Sequence, residues 1–370
     1  MKVTADNKDS LDLLIPLYKA DVYREADLIE EVLRIYGYNN IELPQNLKSS
    51  PTVRSKPDLR MIREDIMNLL SHNGFTEIMN NSLCAEAHLD ASSDFKKEQA
   101  VRILNPLSAE LNIMRPSLLF GALDTAVYNI NRKKTDLRLF EFGSTYLLDK
   151  NNNPDKKTGK SYKESNHLAL TMSGNTAPAN WFMKDQEVGF YDLKFFVHSI
   201  LDRIGVQKWD ISTVAGDVFN YGLVYSINEK EILRFGLVKN SILKKWDIPQ
   251  SVFYAEINFS LLSEMIQKED ATFKDLPRFP EVRRDLSLLL PANVSFEDIH
   301  SLAVKTEKKL LKKVSLFDVY QGKGIEEGKK SYAISFTLQR EDKTLTDKEI
   351  EKVMKRLMKA FVDVLKAEIR

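Results

Sequence analysis

The chain has 370 residues, of which 43% are hydrophobic, with 54 basic and 53 acidic residues and a net charge of +1. This length is too great for a single hydrophobic core of ordinary size, and the apolar content is high enough for the whole chain to fold. Two or three domains are therefore expected. The balanced charge excludes a protein that is drawn as a whole to nucleic acid or membrane. The single cysteine, Cys84, excludes an internal disulfide and a cysteine-based zinc site. With no signal peptide or membrane-spanning run in the sequence, we expect a cytoplasmic protein.

The first predicted helix contains an acidic stretch, DVYREADLIEE. Four of its carboxylates, Asp21, Asp27, Glu30 and Glu31, are candidate metal ligands. Apolar residues recur at helical spacing through LIEEVLRIYGY, and Gly37 is placed to end the helix. On this helix Asp27 shares a face with the two glutamates, and a set of carboxylate oxygens suits Mg²⁺. The alternative is a solvated face whose acids favour the helix N-terminus and pair with Arg24 and Arg34, and the spacing alone favours this alternative.

A polar stretch with three prolines, LPQNLKSSPTVRSKPDLR, ends a small first module, residues 1–47. The second predicted domain, residues 56–270, begins with an amphipathic helix that needs a partner surface. The apolar stripe of this helix is Leu59, Ile62, Ile66 and Leu69. Strand candidates that are adjacent in sequence follow, with helices at 116–131 and 189–204, which favours an antiparallel sheet. The polar stretch DKNNNPDKKTGKSYKES is predicted to be a hairpin loop.

The third predicted domain, residues 277–370, has the order of a ferredoxin-like split β-α-β fold. It reads strand RRDLSLLLP, helix SFEDIHSLAVKTEKKLL, strands VSLFDVYQ and SYAISFTLQ, helix TDKEIEKVMKRLMKAFVDVLKAEI, and a short extra strand. Ser295 with Asp298, and Thr346 with Glu349, have the spacing of capping boxes at the two helix starts. The domain contains 20 basic and 15 acidic residues, so its surface is predicted to be basic.

Other catalytic and binding motifs are missing from the sequence. The run QGKGIEEGKK is followed by a strand, whereas a phosphate loop needs a helix directly after it, so the run is predicted to be a hairpin turn. The five histidines are scattered and match no nucleophile-elbow or two-histidine metal pattern.

Several longer stretches, in this order, resemble the C-terminal part of the β chain of bacterial phenylalanyl-tRNA synthetase. They are READLIEEVLRIYGYNNI, LNPLSAELNIMRPSLLFGAL, LRLFEFGSTY, GFYDLKFFVHSIL, and RFPEVRRDLSLLL with REDKTLTDKEI. The resemblance implies an α+β fold with a class II synthetase-like antiparallel sheet and flanking helices. Part of a small helical or winged module would precede the sheet, and a ferredoxin-fold anticodon-binding domain would follow it. It also implies that the four carboxylates of the first helix hold Mg²⁺.

The resemblance implies a non-catalytic chain, because two features of catalytic relatives are missing. Gly143 of the FEFG turn is followed by Ser-Thr-Tyr-Leu-Leu without an arginine, and the strand FYAEINFS enters LLSEMIQ without glycine or arginine. Adenylyl transfer depends on positive charge placed against the phosphates. ATP would therefore be used by the α chain of an α2β2 enzyme, and the helix at residues 58–70 would pack in the bundle that joins the chains.

The basic third domain would orient tRNA through salt-sensitive phosphate contacts. The candidates are Arg278, Arg283, Arg284, Lys329, Lys330 and Arg340, chosen for charge near strand ends and turns, with ordinary solvated surface as the alternative for each. The leading hypothesis is a non-catalytic scaffold that supports tRNA. The alternatives are an independent RNA-binding module without a synthetase partner and a magnesium-dependent enzyme that uses the four carboxylates. Full β chains also carry an editing module, so we expect this chain to be a piece of one.

Overall fold

The structure is a computed structural model that describes residues 1–42, 58–149, 162–266 and 276–369, except positions 179, 183, 207, 215 and 323. The chain divides into two compact units, residues 1–269 and 270–370. Residues 43–57 of the predicted linker and residues 150–161 of the predicted hairpin loop lie outside the described residues. No helix in the described ranges is long and apolar enough to cross a membrane.

The first unit begins with a hairpin and a helix. Strand β1 (Lys2–Asn7) pairs antiparallel with β2 (Ser10–Leu14), and helix α1 spans Glu25–Tyr36. The helix was predicted and the hairpin was not. Both strands are exposed apart from the half-buried Ala5 and Leu13, so they contain too few apolar residues at inward positions for a clear strand pattern.

The rest of the first unit is built on a seven-stranded sheet. Its strands are β3 (Thr76–Glu77), β6 (Leu137–Leu148), β7 (Tyr162–Ser173), β8 (Asp210–Thr213), β9 (Phe219–Ile227), β10 (Lys230–Val238) and β11 (Val252–Asn258), and β4 (Leu83–Cys84) and β5 (Ile113–Met114) form a separate pair. The helices are α2 (Leu59–His72), α3 (Leu119–Ile130), α4 (Phe190–Arg203), α5 (Asn240–Lys245) and α6 (Phe259–Ile266). The spatial order is β3-β6-β7-β11-β10-β9-β8, antiparallel except between β3 and β6, which confirms the predicted antiparallel sheet with flanking helices.

The apolar stripe of α2 packs on the chain's own sheet. Ile66 and Leu70 are fully buried in the same cluster as Leu168 and Phe235 of the sheet. The partly buried residues that pack against this cluster from the helix are Ile62, Met67 and Leu69. Ile62, Ile66 and Leu69 of the predicted stripe thus face the chain's own sheet, and the bundle between chains stays a prediction. The sheet supplies the apolar surface that the stripe needs, so the helix is part of an internal core.

The second unit has the expected split β-α-β fold. Its elements are β12 (Val282–Pro291), α7 (Phe296–Thr306), β13 (Leu311–Tyr320), β14 (Lys329–Leu338), α8 (Asp347–Leu365) and β15 (Glu368–Ile369). The sheet has the order β13-β14-β12-β15, which confirms both the ferredoxin-like arrangement and the short extra strand. Both helices contribute to one core, in which Ile299 of α7 and Leu357 of α8 are fully buried with Ile334 and Phe336 of the sheet.

Local signals placed the starts of these helices but not their ends. The Ser295 hydroxyl accepts from the Asp298 N–H at 3.2 Å, and the Thr346 hydroxyl accepts from the Glu349 N–H at 3.4 Å, so both predicted caps are confirmed. Helix α7, predicted to continue through KTEKKLL, ends at Thr306. The next residue, Glu307, is extended, and its carboxylate accepts two backbone N–H groups of the following turn, which closes the helix. Helix α8, predicted to run through VLKAEI, ends at Leu365, because Lys366 is left-handed and Glu368–Ile369 pairs with β12 as a strand.

Candidate functional site

A row of polar side chains crosses one face of the seven-stranded sheet. Glu141 of β6 and Glu256 of β11 both lie opposite Ala169 of β7, which stands between them, and Arg234 of β10 lies opposite Glu256. Residues directly opposite in a sheet point to the same face. The small side chain of Ala169 thus separates two buried carboxylates, and each of them has its own set of donors.

Glu141 is neutralised by a buried arginine. The Nη1 atom of Arg115 lies 2.6 Å from Glu141 Oε1, with only 6% and 2% of the two side chains exposed. Asn80 donates to the same carboxylate from its backbone N–H and from Nδ2, at 3.2 and 2.8 Å. A Cβ at position 143 would collide with the Arg115 guanidinium, which explains the glycine of FEFG. This segment, predicted to be a turn, lies inside β6. The positive charge beside it comes from Arg115, outside the strand, and is already committed to Glu141.

Glu256 is held by neutral donors and by a histidine. Its Oε2 accepts from Ser117 Oγ at 2.6 Å and from the Tyr254 hydroxyl at 2.8 Å, and its Oε1 lies 3.0 Å from His167 Nδ1. Burial acts to raise the pKa of Glu256, but the contacts with His167, Ser117 and Tyr254 lower it to about 2. The carboxylate is therefore ionised at neutral pH although it is buried.

This lowered pKa predicts an acid-dependent loss of stability in the first unit. Glu256 releases its proton at about 2 in the folded chain against a usual value of 4.5, so the folded state gains stability above pH 4.5 and loses it as the pH falls towards 2. At about 1.4 kcal/mol per pKa unit the loss is on the order of 3 kcal/mol. Urea unfolding at pH 6 and pH 3, followed by tryptophan fluorescence, should show a smaller difference for Glu256→Gln than for the unchanged chain. An equal difference would assign the acid sensitivity to other groups.

The carboxylates of α1 are mostly engaged in local contacts. Asp27 Oδ2 accepts the backbone N–H groups of Arg24 at 2.9 Å and Tyr23 at 3.2 Å, which lowers the pKa of Asp27. Glu31 lies 2.7 Å from Lys19 Nζ and 3.3 Å from Arg34 Nη1, and Lys19 is the main cause of its lowered pKa.

Asp21 and Glu30 are exposed, so the structure does not gather the four predicted ligands at one point. Within the described ranges, no group of three or more His, Cys, Asp or Glu side chains is placed to hold a metal ion. As they are arranged here, the four carboxylates do not fit Mg²⁺. Asp27 pairs with Arg24 and Glu31 pairs with Arg34. These pairs are the ones expected if the acids form a solvated helix face and not a metal site.

Most of the predicted tRNA-binding residues are paired with acids. Arg283 lies 3.0 Å from Asp285, Arg284 3.9 Å from Asp347, Lys329 2.8 Å from Glu326, and Arg340 2.6 Å from Asp342. The other two are Arg278, which is exposed, and Lys330, whose ammonium lies 4.9 Å from the centre of the Tyr332 ring. These partners reduce the positive charge that the six side chains offer to phosphates.

Sequence reasoning missed a basic stripe on α8. Its members are the exposed residues Lys348, Lys352, Lys355 and Lys359. Spacings of four, three and four residues put them on one helix face. Lys355 lies 3.9 Å from Glu351, and the other three make no ion pair within residues 276–369. The repeat of lysines in TDKEIEKVMKRLMKAF was the available signal.

Three family models match successive parts of the chain. The tRNA synthetase B5 domain matches residues 1–38, the phenylalanyl-tRNA synthetase beta chain CLM domain matches 43–259, and the ferredoxin-fold anticodon-binding domain matches 277–370. The phenylalanine–tRNA ligase beta subunits of Bacteroides thetaiotaomicron and Porphyromonas gingivalis are 42% and 37% identical over the whole chain, which covers 46% of each relative. The crystal structure of pyrrolysyl-tRNA synthetase from Desulfitobacterium hafniense covers 58% of this chain and 71% of its own, with 16% identity and a TM-score of 0.44, too distant to carry an argument.

An antiparallel sheet that matches a synthetase domain model, followed by a ferredoxin-fold anticodon-binding domain, defines a synthetase-related protein. The chain belongs to the family of phenylalanyl-tRNA synthetase β chains. It spans about half the length of the curated relatives that it matches.

Proposed function

We propose that this chain is the non-catalytic, tRNA-supporting part of the β chain of phenylalanine–tRNA ligase, which attaches phenylalanine to its tRNA in the cytoplasm with ATP. It would assemble with the α chain into an α2β2 enzyme in which ATP is bound by α. The similarity to phenylalanine–tRNA ligase beta subunits supports the assignment to this ligase. The match to the ferredoxin-fold anticodon-binding domain supports the role in tRNA binding.

One observation carries the non-catalytic assignment. Beside the FEFG segment of β6, near which a catalytic relative needs a free positive charge for the ATP phosphates, Arg115 is buried and paired with Glu141 at 2.6 Å. Freeing that arginine would leave a carboxylate unpaired in the core, which is costly. The arginine therefore stabilises the fold and is not available to a nucleotide.

An aminoacylation assay tests this proposal. The α chain, this chain and their mixture are incubated with ATP, phenylalanine and tRNA. This chain alone should form no phenylalanyl-tRNA and no adenylate, and activity should require the α chain. Product formed by this chain alone would overturn the assignment.

We propose that tRNA is contacted by the six predicted residues together with the lysine stripe of α8. The stripe supplies positive charge, whereas most of the six predicted residues are already paired with acids. The double variant Lys352→Ala/Lys359→Ala should weaken tRNA binding similarly for all sequences. It should also reduce the slope of log affinity against log salt by about two, since each lost phosphate contact removes about one.

The matched control for these lysines is Lys134→Ala/Lys244→Ala, which makes the same change in net charge with two exposed lysines of the first unit. Filter binding between 50 and 200 mM salt, roughly the range over which phosphate contacts dominate, compares the two variants. Equal slopes would show that α8 does not contact tRNA.

We keep Mg²⁺ as a separate proposal for Asp21, Asp27, Glu30 and Glu31, supported by the family resemblance. Binding would require Asp27 to leave the backbone N–H groups of the first turn and Glu31 to leave Lys19. Millimolar Mg²⁺ should then raise the melting temperature of the chain but not that of Glu30→Gln/Glu31→Gln, and an equal response of both would reject the site.

A further inference from the structure

The polar row of the sheet borders a cavity of about 260 Å³. Glu256, Ser117 and Tyr254 line it on the polar side, where the two hydroxyls donate to the carboxylate. Phe95 and Phe219 line it together with other apolar side chains, among them Leu119, Leu147 and Val218. Polar groups that converge beside apolar and aromatic side chains are typical of small-molecule sites, and the volume is close to the lower limit of about 300 Å³ for such sites.

The arginine that lines the cavity is paired with two acids. Arg234 Nε lies 2.6 Å from Glu231 Oε1, and its Nη1 lies 3.8 Å from Asp94 Oδ2. Lys96 is the other basic side chain of the lining, and it is exposed. The lining thus contains three carboxylates, one arginine and one lysine, with His167 beside Glu256.

On the polar side of the cavity, Glu256 makes its contacts with two hydroxyls and a histidine, whereas Glu231 pairs with Arg234. A carboxylate accepts about four hydrogen bonds, and the two hydroxyl donors and the nearby His167 leave room for one more. Hydrogen bonds to an ionised group are about twice as strong as those between neutral groups, and stronger still where water is excluded. A cationic donor of small size is therefore the group that this part of the cavity favours.

We propose that the cavity binds a small amphipathic molecule that carries a primary ammonium group on an apolar body. The ammonium donates to Glu256, and the body packs against Phe95, Leu119 and Phe219. The ligand class includes both simple amines and amino acids, which share this chemistry. The site is independent of the proposed assembly and tRNA roles, because it lies in the first unit and uses none of the α8 lysines.

Isothermal titration of the 370-residue chain with 2-phenylethylamine and 3-phenylpropionate tests the proposal. The two probes have similar apolar bodies and opposite charges, so the amine should bind and the carboxylate should not. L-phenylalanine distinguishes the sources of the chemistry, because its binding would include amino acids among the ligands and its failure would restrict the site to amines. Glu256→Gln should weaken amine binding at least about tenfold, since it removes the charge and keeps an oxygen acceptor.

Two further variants keep this test decisive. Glu264→Gln changes an exposed glutamate outside the lining of the cavity and should leave amine binding unchanged. Ala100→Leu fills the cavity without changing a charge and should abolish binding, so it decides the test if circular dichroism shows that Glu256→Gln does not fold. The proposal is overturned if the amine does not bind, if both probes bind equally, or if binding survives in the folded variants of both Glu256 and Ala100.

Discussion

Replacing Arg115 with methionine is expected to lower the free energy of unfolding of the first unit by about 3–5 kcal/mol, because it leaves the Glu141 carboxylate buried without its charge partner. The remaining donor, Asn80, is neutral and cannot replace the guanidinium. Urea unfolding followed by tryptophan fluorescence measures this effect, since all three tryptophans, Trp181, Trp209 and Trp246, belong to the first unit.

Arg102→Met is the matched control. Arg102 pairs with Glu86 at the surface, with 51% and 29% of the side chains exposed, and such pairs contribute at most about 1 kcal/mol. The double variant Arg115→Met/Glu141→Met should recover most of the loss, because it removes both charges and fills the space with apolar groups. A cost below about 1 kcal/mol for Arg115→Met would show that the pair does not hold this face of the sheet together.

Replacing Phe361 with alanine should destabilise the second unit by about 3–5 kcal/mol, the usual cost of removing a buried phenylalanine. Phe361 of α8 is fully buried, and its ring centre lies 5.8 Å from that of Phe336 of β14. The second unit contains no tryptophan, so hydrogen exchange of the β14 amides is the suitable measurement.

The control for this substitution lies on the same helix. Val364 is 63% exposed, and Val364→Ala should change the exchange of β14 by less than about 0.5 kcal/mol. If Phe361→Ala behaves like Val364→Ala, α8 does not hold the sheet of this unit. The lysine stripe would then stand on a helix that opens independently of the domain.

The second unit could be predicted closely because its signals are local. Ser295 and Thr346 start their helices through contacts three residues along the chain. The alternating strands β12 and β14 pair over ten residues, as their length and pattern suggest. The ends of α7 and α8 were misplaced. KTEKKLL has good helix formers, and the Glu307 carboxylate that ends α7 acts through the folded backbone. The last residues predicted for α8 pair with β12, a contact with a distant part of the chain.

The polar row of the first unit could not be predicted, because its contacts join distant parts of the chain. Ser117 and Glu256 are separated by 139 positions, and Arg115 and Glu141 by 26. Likewise, the period of α2 identified an apolar face but not its partner, which is the sheet of the same unit. A basic residue near a predicted turn also does not reveal whether an acid neutralises it in the fold. Arg340, for example, was predicted to bind tRNA but pairs with Asp342.

The central claim is that this chain works as a partner of the α chain and not alone. Size-exclusion chromatography with light scattering, on this chain mixed with the α chain of the same source, tests it most directly. The account predicts a stable complex with two copies of each chain. A chain that elutes alone in the presence of α, and still binds tRNA, would contradict the account and favour an independent RNA-binding module.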